Sequence, residues 1–395
     1  MLKGRHNVVK AMRRFRAPVP ILKIVSRTMS STTPSEYTYV IDTNEALQFC
    51  VRCLEKVGVS TTHSKEMSEV LIMGDLRGHY SHGLNRLEMY VQDVEKGICD
   101  AHGEPIIERE SVSTALINGK NLLGPVVGNF AMKTAINKAK HTGIGWVSAY
   151  NSNHYGIAGW YSMMAAKNKL IGMSFTNTSP LVFPTRSRKR AVGTNPITVA
   201  APSDTPGDEF VLDMATSAVA LGKIEMCRRR GLPIPHGWAA DSEGRSTTEP
   251  KVAITEGALL PLGGEESTSG YKGSGLAMMV EIFCGILAGA SYGPNVRTWM
   301  NADRPANLGQ GFVAIDPNAF APDFESRMSD YMKTIRQLPR VNDSLPPLVP
   351  GDPERAHISE CEHMGGIRYP PVLIESMHRL ADRLKVEKLP ILKEL

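Results

Sequence analysis

The stretch Ile144-Gly-Trp-Val-Ser-Ala-Tyr150, continued by Asn151-Ser-Asn-His154-Tyr-Gly156 and the apolar segment Gly156–Ala166, decides the fold class. It predicts a strand over Ile144–Tyr150, a polar loop and then a helix, and Leu170–Thr176 returns as a strand. Working outward, the alternation continues. Strands are expected at Thr114–Asn118, Ile197–Pro202, Phe210–Asp213 and Gly311–Ile315, and helices at Asn129–Lys140, Ser217–Arg229 and Gly275–Ala290. That pattern is α/β: a mixed sheet with helices. The flanks are helical. Glu45–Lys56, opened by the capping-box-like Asp42-Thr-Asn-Glu45, precedes Thr62–Leu76 and Leu84–Glu95, while Phe324–Gln337 and Pro371–Lys385 lie beyond and are linked by the Pro-rich Leu345–Pro353. Three regions follow: a basic leader over 1–35, a helical domain from 36–112 with 316–395, and an α/β domain over 113–315.

Charge is informative only once divided. Residues 1–35 hold eight basic residues and no acid, so the rest of the chain is net −3 although the whole is +5. The basic balance therefore belongs to the leader and gives no reason to expect nucleic acid as a partner. The leader is Arg-rich, and Val8, Met12 and Phe15 recur at helical spacing. It reads as a mitochondrial transit peptide or as a disordered basic tail, and Met29 offers a start for a shorter, cytoplasmic form. No apolar run reaches the roughly 18 residues of a membrane span; Leu276–Ala290 contains Glu281 and reads as a buried helix. Cys50-Val-Arg-Cys53 has no second pair and sits in a helical pattern, so no disulfide framework is expected and a reducing compartment is the default.

Several chemistries are excluded by absence: no zinc-protease helix, phosphate loop or nucleophile elbow is present. Gly143-Ile-Gly145 and Gly273-Ser-Gly275 both lack the third glycine of a Rossmann fingerprint. His357, Cys361 and His363 have metal-like spacing without a supporting acidic motif and read as a solvated loop, so no metal site is expected.

Five segments remain. Asp75-Leu-Arg-Gly-His-Tyr-Ser-His-Gly-Leu-Asn-Arg-Leu-Glu-Met-Tyr90 gathers His79, Ser81 and His82 in a turn, with Arg86 and Tyr90 at i and i+4 on the following helix. A proton carrier, a fixed cation and a phenol aimed at one volume suit a small carboxylate beside an alcohol or carbonyl. Asn151–Gly156 carries His154 between a strand and a helix, where α/β proteins build sites. Thr176-Asn-Thr-Ser-Pro180 offers hydroxyls for ribose or phosphate, and the nearby Arg188-Lys-Arg190 faces either a phosphate or water. Asp213-Met-Ala-Thr-Ser217 stands at a strand end, as a cofactor contact or a helix cap. Gly270-Tyr-Lys-Gly-Ser-Gly275 reads as an anion-binding or simply flexible loop.

Six motifs in order carry a family likeness: Tyr80-Ser-His-Gly-Leu-Asn-Arg86, Asn151-Ser-Asn-His-Tyr-Gly-Ile-Ala-Gly159, Gly193-Thr-Asn-Pro-Ile197, Asp213-Met-Ala-Thr216, Lys272-Gly-Ser-Gly-Leu276 and Asn307-Leu-Gly-Gln310. From about Ser35 to Leu395 the chain resembles the type-2 malate/L-lactate dehydrogenase family, whose relatives include ureidoglycolate dehydrogenase, diketogulonate reductase and sulfolactate dehydrogenase. The resemblance implies a non-Rossmann nicotinamide-binding fold, a homodimer, NAD or NADP as cofactor, and a small-molecule 2-hydroxy/2-oxo acid as substrate. It implies His82 and His154 as alternative proton-transfer groups and Ser81, Arg86 and Tyr90 on the substrate side. It implies cofactor contacts at Thr176, Ser179, Asn195, Asp213, Met214, Ala215, Lys272 and Gly273. Pro350-Gly351-Asp352 stands where the family has Pro-Gly-Glu, so Asp replaces Glu there. The rival reading is a catalytically silent dinucleotide-binding sensor or scaffold of the same fold.

Overall fold

The computed structural model describes residues 36–298 and 304–395; the basic leader lies outside them. The chain opens with β1 (Tyr39–Ile41), α1 (Thr43–Lys56) and α2 (Thr61–Leu76). Asp42 caps α1 by accepting from the amides of Asn44 and Glu45, as its sequence predicts, and Ser60 caps α2 through the amide of His63. Two 3-10 turns, Tyr80–His82 and Leu84–Arg86, lead into α3 (Leu87–Glu95). The expected helix over Leu84–Glu95 therefore begins with a tighter turn, and Arg86 stands at its hinge.

The next elements are β2 (Ile106–Glu110), β3 (Thr114–Asn118), α4 (Gly124–Thr142), β4 (Ile144–Ser152), α5 (Gly159–Ala166), β5 (Ile171–Thr176), β6 (Ile197–Ala201) and β7 (Phe210–Met214). Then come α6 (Leu221–Arg230), β8 (Ala239–Ala240), α7 (Pro250–Thr255), β9 (Ala258–Leu259), α8 (Gly270–Glu281) and β10 (Leu308–Ile315). The chain closes with α9 (Phe324–Arg336), α10 (Asp352–Met364), β11 (Ile367–Tyr369), α11 (Pro371–Leu384) and β12 (Lys393–Glu394).

The main sheet runs β2-β3-β4-β10-β5-β6-β7. Only β3 and β4 pair in parallel; the other neighbours are antiparallel. This is the mixed sheet the alternation predicted, built without a doubly wound Rossmann order. Its central strand β10 alternates faces. Phe312 and Ala314 enter the large core with α4 and α5, and Val313 packs with Val280 and Cys284 of α8 and the π-helical turn after it. A smaller sheet, β11-β1-β12, ties the two chain ends together.

Four expectations are corrected. Gly270–Gly275 is not a loop but the start of α8, because Gly273 lies against the backbone of Leu262, where a Cβ would come within 2.3 Å of the Leu262 carbonyl oxygen. His357, Cys361 and His363 lie on α10 rather than in a solvated loop, and His357 and Cys361 are buried. The helix after Asp213 starts at Leu221, later than Ser217. The flanking regions also hold strands, with β2 paired to β3 in the main sheet. Cys50 and Cys53 are buried, unpaired residues of α1, the plain helix their context predicted.

Phe312 is fully buried at the centre of the sheet, 5.4 Å from the Tyr161 ring. Phe312→Ala is expected to lower stability by about 3–5 kcal/mol, measured by denaturant unfolding.

Candidate active site

A cavity of about 390 Å³ opens where the turn after α2 meets the carboxyl ends of β4, β5 and β7. Its wall carries His82, Arg86, Tyr90, Asn153, His154 and Arg297. It also carries the hydroxyl-bearing Thr176, Thr178, Ser179 and Thr194, with Asp213, Met214 and Ala215 and the start of α6 at Leu221 and Gly222.

The loop that presents His154 is held from three directions. The side chain of Asn307 accepts from the Asn151 amide, the Gln310 amide donates to the Asn153 carbonyl, and the Asn153 side chain donates to the Leu122 carbonyl. The motif Asn307–Gln310 thus acts on the site by fixing this loop. Gly156 takes φ 76°, and a Cβ there would meet Val70 of α2 at 2.3 Å.

Tyr90 and His154 join the two halves: the phenol lies 2.5 Å from Nδ1 of His154. The backbone amide of Gly156 also donates to that Nδ1, at 3.3 Å. An amide N–H can only donate, so Nδ1 is the acceptor and neutral His154 carries its proton on Nε2. The His82 and His154 rings stack with centroids 5.6 Å apart, and Ser81 Oγ lies 2.9 Å from Nδ1 of His82. Arg86 donates through Nε to the Ser81 carbonyl at 2.7 Å.

Burial is the main cause of the electrostatics. It lowers the pKa of His82 to about 3, with Arg86 and His79 adding to the fall, and holds His154 well below the usual histidine range. Burial likewise raises the Tyr90 phenol far above its ordinary value. Two neutral imidazoles and a neutral phenol therefore stand beside the Arg86 cation.

The structure brings Ser81, His82, Arg86, Tyr90 and His154 to the same cavity as Thr176, Ser179, Asp213, Met214 and Ala215. Asp213 also accepts from the Gly159 amide at 2.8 Å, so it meets the start of α5 as well as the cavity. Asn195 is buried just behind, accepting from the Thr178 amide and donating to Glu281. Lys272 is exposed on α8, and Gly273 packs on Leu262; neither lines the cavity. Pro350, Gly351 and Asp352 also lie away from it. The Pro350 carbonyl accepts from Val211, and Asp352 bonds Arg336 and Arg355. His79 makes no side-chain cap and stands on the cavity wall, 3.7 Å from Glu354 of α10.

Sequence reasoning missed Arg297, a buried cation on the cavity wall 3.4 Å from Asp93, because it follows no periodic segment or motif. Thr178 fell inside a flagged motif and Thr194 beside Asn195, so position was legible there and orientation was not.

The model of the malate/L-lactate dehydrogenase family matches residues 41–378. The chain belongs to that family. It is 46% identical to a malate dehydrogenase of Pyrococcus abyssi over 75% of this chain and 82% of that one. It is 38% identical to a malate/(S)-sulfolactate dehydrogenase of Methanothermus fervidus over 88% of this chain and 99% of the relative. The solved malate dehydrogenase of Pyrococcus horikoshii superposes with a TM-score of 0.83 at 38% identity, covering 90% of this chain and 99% of the other.

The site also predicts a pH effect on stability. His82 protonates near 6.5 when unfolded and near 3 when folded. Over that window the unfolded chain binds more protons, so this contribution is full above 6.5 and is lost as pH falls toward 3. His82→Ala is expected to flatten that part of the stability profile, read from denaturant unfolding between about pH 4 and pH 7; an unchanged slope would remove His82 as its source.

Proposed function

We propose that the cavity performs reversible hydride transfer between C2 of a malate- or lactate-like 2-hydroxy acid and a nicotinamide cofactor, with His82 moving the proton and His154 serving as a fixed hydrogen-bond donor. Family membership makes the chain a 2-hydroxy-acid dehydrogenase. The observation that carries the division of roles is the double occupancy of His154 Nδ1. With Tyr90 and the Gly156 amide both on that nitrogen, His154 presents an N–H from Nε2 and has no free lone pair to take a proton. Among the described residues His82 meets a hydroxyl at Nδ1, and a serine hydroxyl donates or accepts as the tautomer requires.

In oxidation, Arg86 pairs with the substrate carboxylate and fixes its orientation. His154 donates from Nε2 to the C2 oxygen, and His82 takes the hydroxyl proton. A bound nicotinamide ring supplies the hydride acceptor, and the hydride donor in reduction. The residues present fit such a group: the hydroxyls of Thr176, Thr178, Ser179 and Thr194 offer partners for its amide and ribose, and the first amides of α6 favour its phosphates. A neutral His82 is already a base for oxidation. In reduction it must first be protonated; burial is the main cause of its lowered pKa, and an anionic substrate on Arg86 offsets the part that this cation adds.

The basic run is engaged within the chain: Arg186 pairs with Glu266, Arg188 with Glu243, and Arg190 with the Gly257 carbonyl. These pairings favour NAD over a 2′-phosphorylated cofactor. Tyr271, Met278, Ile282 and Ile286 form an exposed apolar stripe along α8 and its π-helical turn. A stripe of that size favours a second copy of the chain across a two-fold axis, that is, a homodimer. The acid-free leader favours a mitochondrial address, to be read by fusing residues 1–35 to a fluorescent reporter; a diffuse cytosolic signal would reject it.

The main test is a panel of 2-oxo acids with NADH and NADPH, followed by single-turnover hydride transfer. His82→Ala is expected to lose about 10²–10⁴ in rate. His154→Ala is expected to lose roughly 10²–10³, with part restored by the donor in His154→Gln. Arg86→Lys should chiefly raise the KM for the acid. Full rate in both alanine variants would refute the assignment, and cofactor binding without turnover of any acid would favour the silent reading.

A further inference from the structure

We propose that Asp75 is a positioning residue of the reaction: its buried carboxylate, anchored by Tyr369 from the C-terminal sheet, sets the backbone kink that separates His82 from Arg86. The proposal rests on the hydride-transfer reading of the cavity.

Asp75 lies in the last turn of α2 and is 1% exposed. After the helix the chain doubles back through Gly78 and the two 3-10 turns, so Gly83 and Leu84 return to the side of Asp75. Oδ2 accepts from the Leu84 amide at 2.8 Å and from the Tyr369 hydroxyl at 2.7 Å. The Leu84 amide opens the second 3-10 turn, so the carboxylate caps that turn from nine residues upstream. Oδ1 lies so close to residue 83 that a Cβ there would stand 1.8 Å from it. The peptide between His82 and Leu84 is therefore pressed against the carboxylate, and only glycine permits the approach. His82 precedes this contact directly, and Arg86 ends the turn that it caps.

Tyr369 is fully buried on β11 and pairs with Tyr39 of β1, so the anchor belongs to the small sheet made by the two chain ends. α10 adds a second contact through His357, which meets the Leu76 carbonyl at 2.9 Å and the Tyr80 hydroxyl at 3.1 Å. The C-terminal segment thus grips the turn on either side of Gly78. Retaining an acid here has a cost. Burial raises its pKa to about 7, and Oδ1 has no hydrogen-bond partner among the described residues. An apolar residue would avoid that cost but would leave the Leu84 amide and the Tyr369 hydroxyl unpaired.

The experiment uses the full-length chain. Asp75→Ala is expected to lower kcat by about 10–100-fold, the scale of a misplacement near 1 Å. The KM for the nicotinamide cofactor should stay within about twofold, because Thr176, Thr178 and Asp213 stand on other elements. Asp75→Asn, which keeps an acceptor for both donors, should recover most of the loss. Tyr369→Phe leaves the Leu84 contact in place, and should cost about 3–10-fold in kcat even where Asp75→Ala does not fold. Amide exchange at Leu84 should quicken in Tyr369→Phe and more so in Asp75→Ala. The proposal is overturned if folded Asp75→Ala keeps its kcat, if cofactor KM rises in step with the loss, or if Leu84 exchange is unchanged. If the unmodified chain turns over no 2-oxo acid, the hydride-transfer reading fails, while Leu84 exchange still decides whether Asp75 holds the turn.

Discussion

The site depends on the hydrogen bond between the Tyr90 phenol and Nδ1 of His154. It closes the gap between α3 and the loop after β4, which lie far apart in sequence. A buried phenol and a buried imidazole each need a partner, and here each supplies the other's. With the Gly156 amide on the same nitrogen, the bond also fixes the tautomer and turns the Nε2 proton outward. The His82 ring stacks on the imidazole so aligned, with centroids 5.6 Å apart.

Desolvation then sets the chemistry. Removing two imidazoles from water beside Arg86 strongly disfavours their charged forms, so both histidines rest neutral next to that cation. A partly apolar chamber with Arg86 on its wall suits an anionic substrate and strengthens each polar contact made inside it. The supporting bonds are mostly to backbone: Asn307, Gln310 and Asn153 hold a loop, and Arg86 holds the Ser81 carbonyl. Rotamers supported in this way keep reacting groups aligned before substrate arrives.

Much of this was legible where the residues stand close in sequence. Ser81, His82, Arg86 and Tyr90 fall within one short stretch, so nearness in sequence already keeps them close. The strand alternation around Ile144–Thr176 gave the α/β class, and the missing third glycine ruled out a Rossmann loop. The reading failed where packing overrode local preference. Three glycines around Lys272 look like a loop, yet they open α8 because Gly273 must approach the Leu262 backbone. Nor could the sequence show that Asp352 is held by Arg336 and Arg355.

The sequence by itself determined the class of fold, the family and the set of groups that face an acid substrate, because these rest on periodicity and on short contiguous motifs. Only the tertiary structure decided which partners these groups meet. His82 and His154 differ in their partners at Nδ1, which are Ser81 for the first and Tyr90 of α3 with the Gly156 amide for the second. Arg297 reaches the cavity from beyond β9, and Asp75 meets Tyr369 from the other end of the chain. Hydrogen bonding and burial between distant segments leave no local pattern, so their effect on a proton or a turn exists only once the chain is folded.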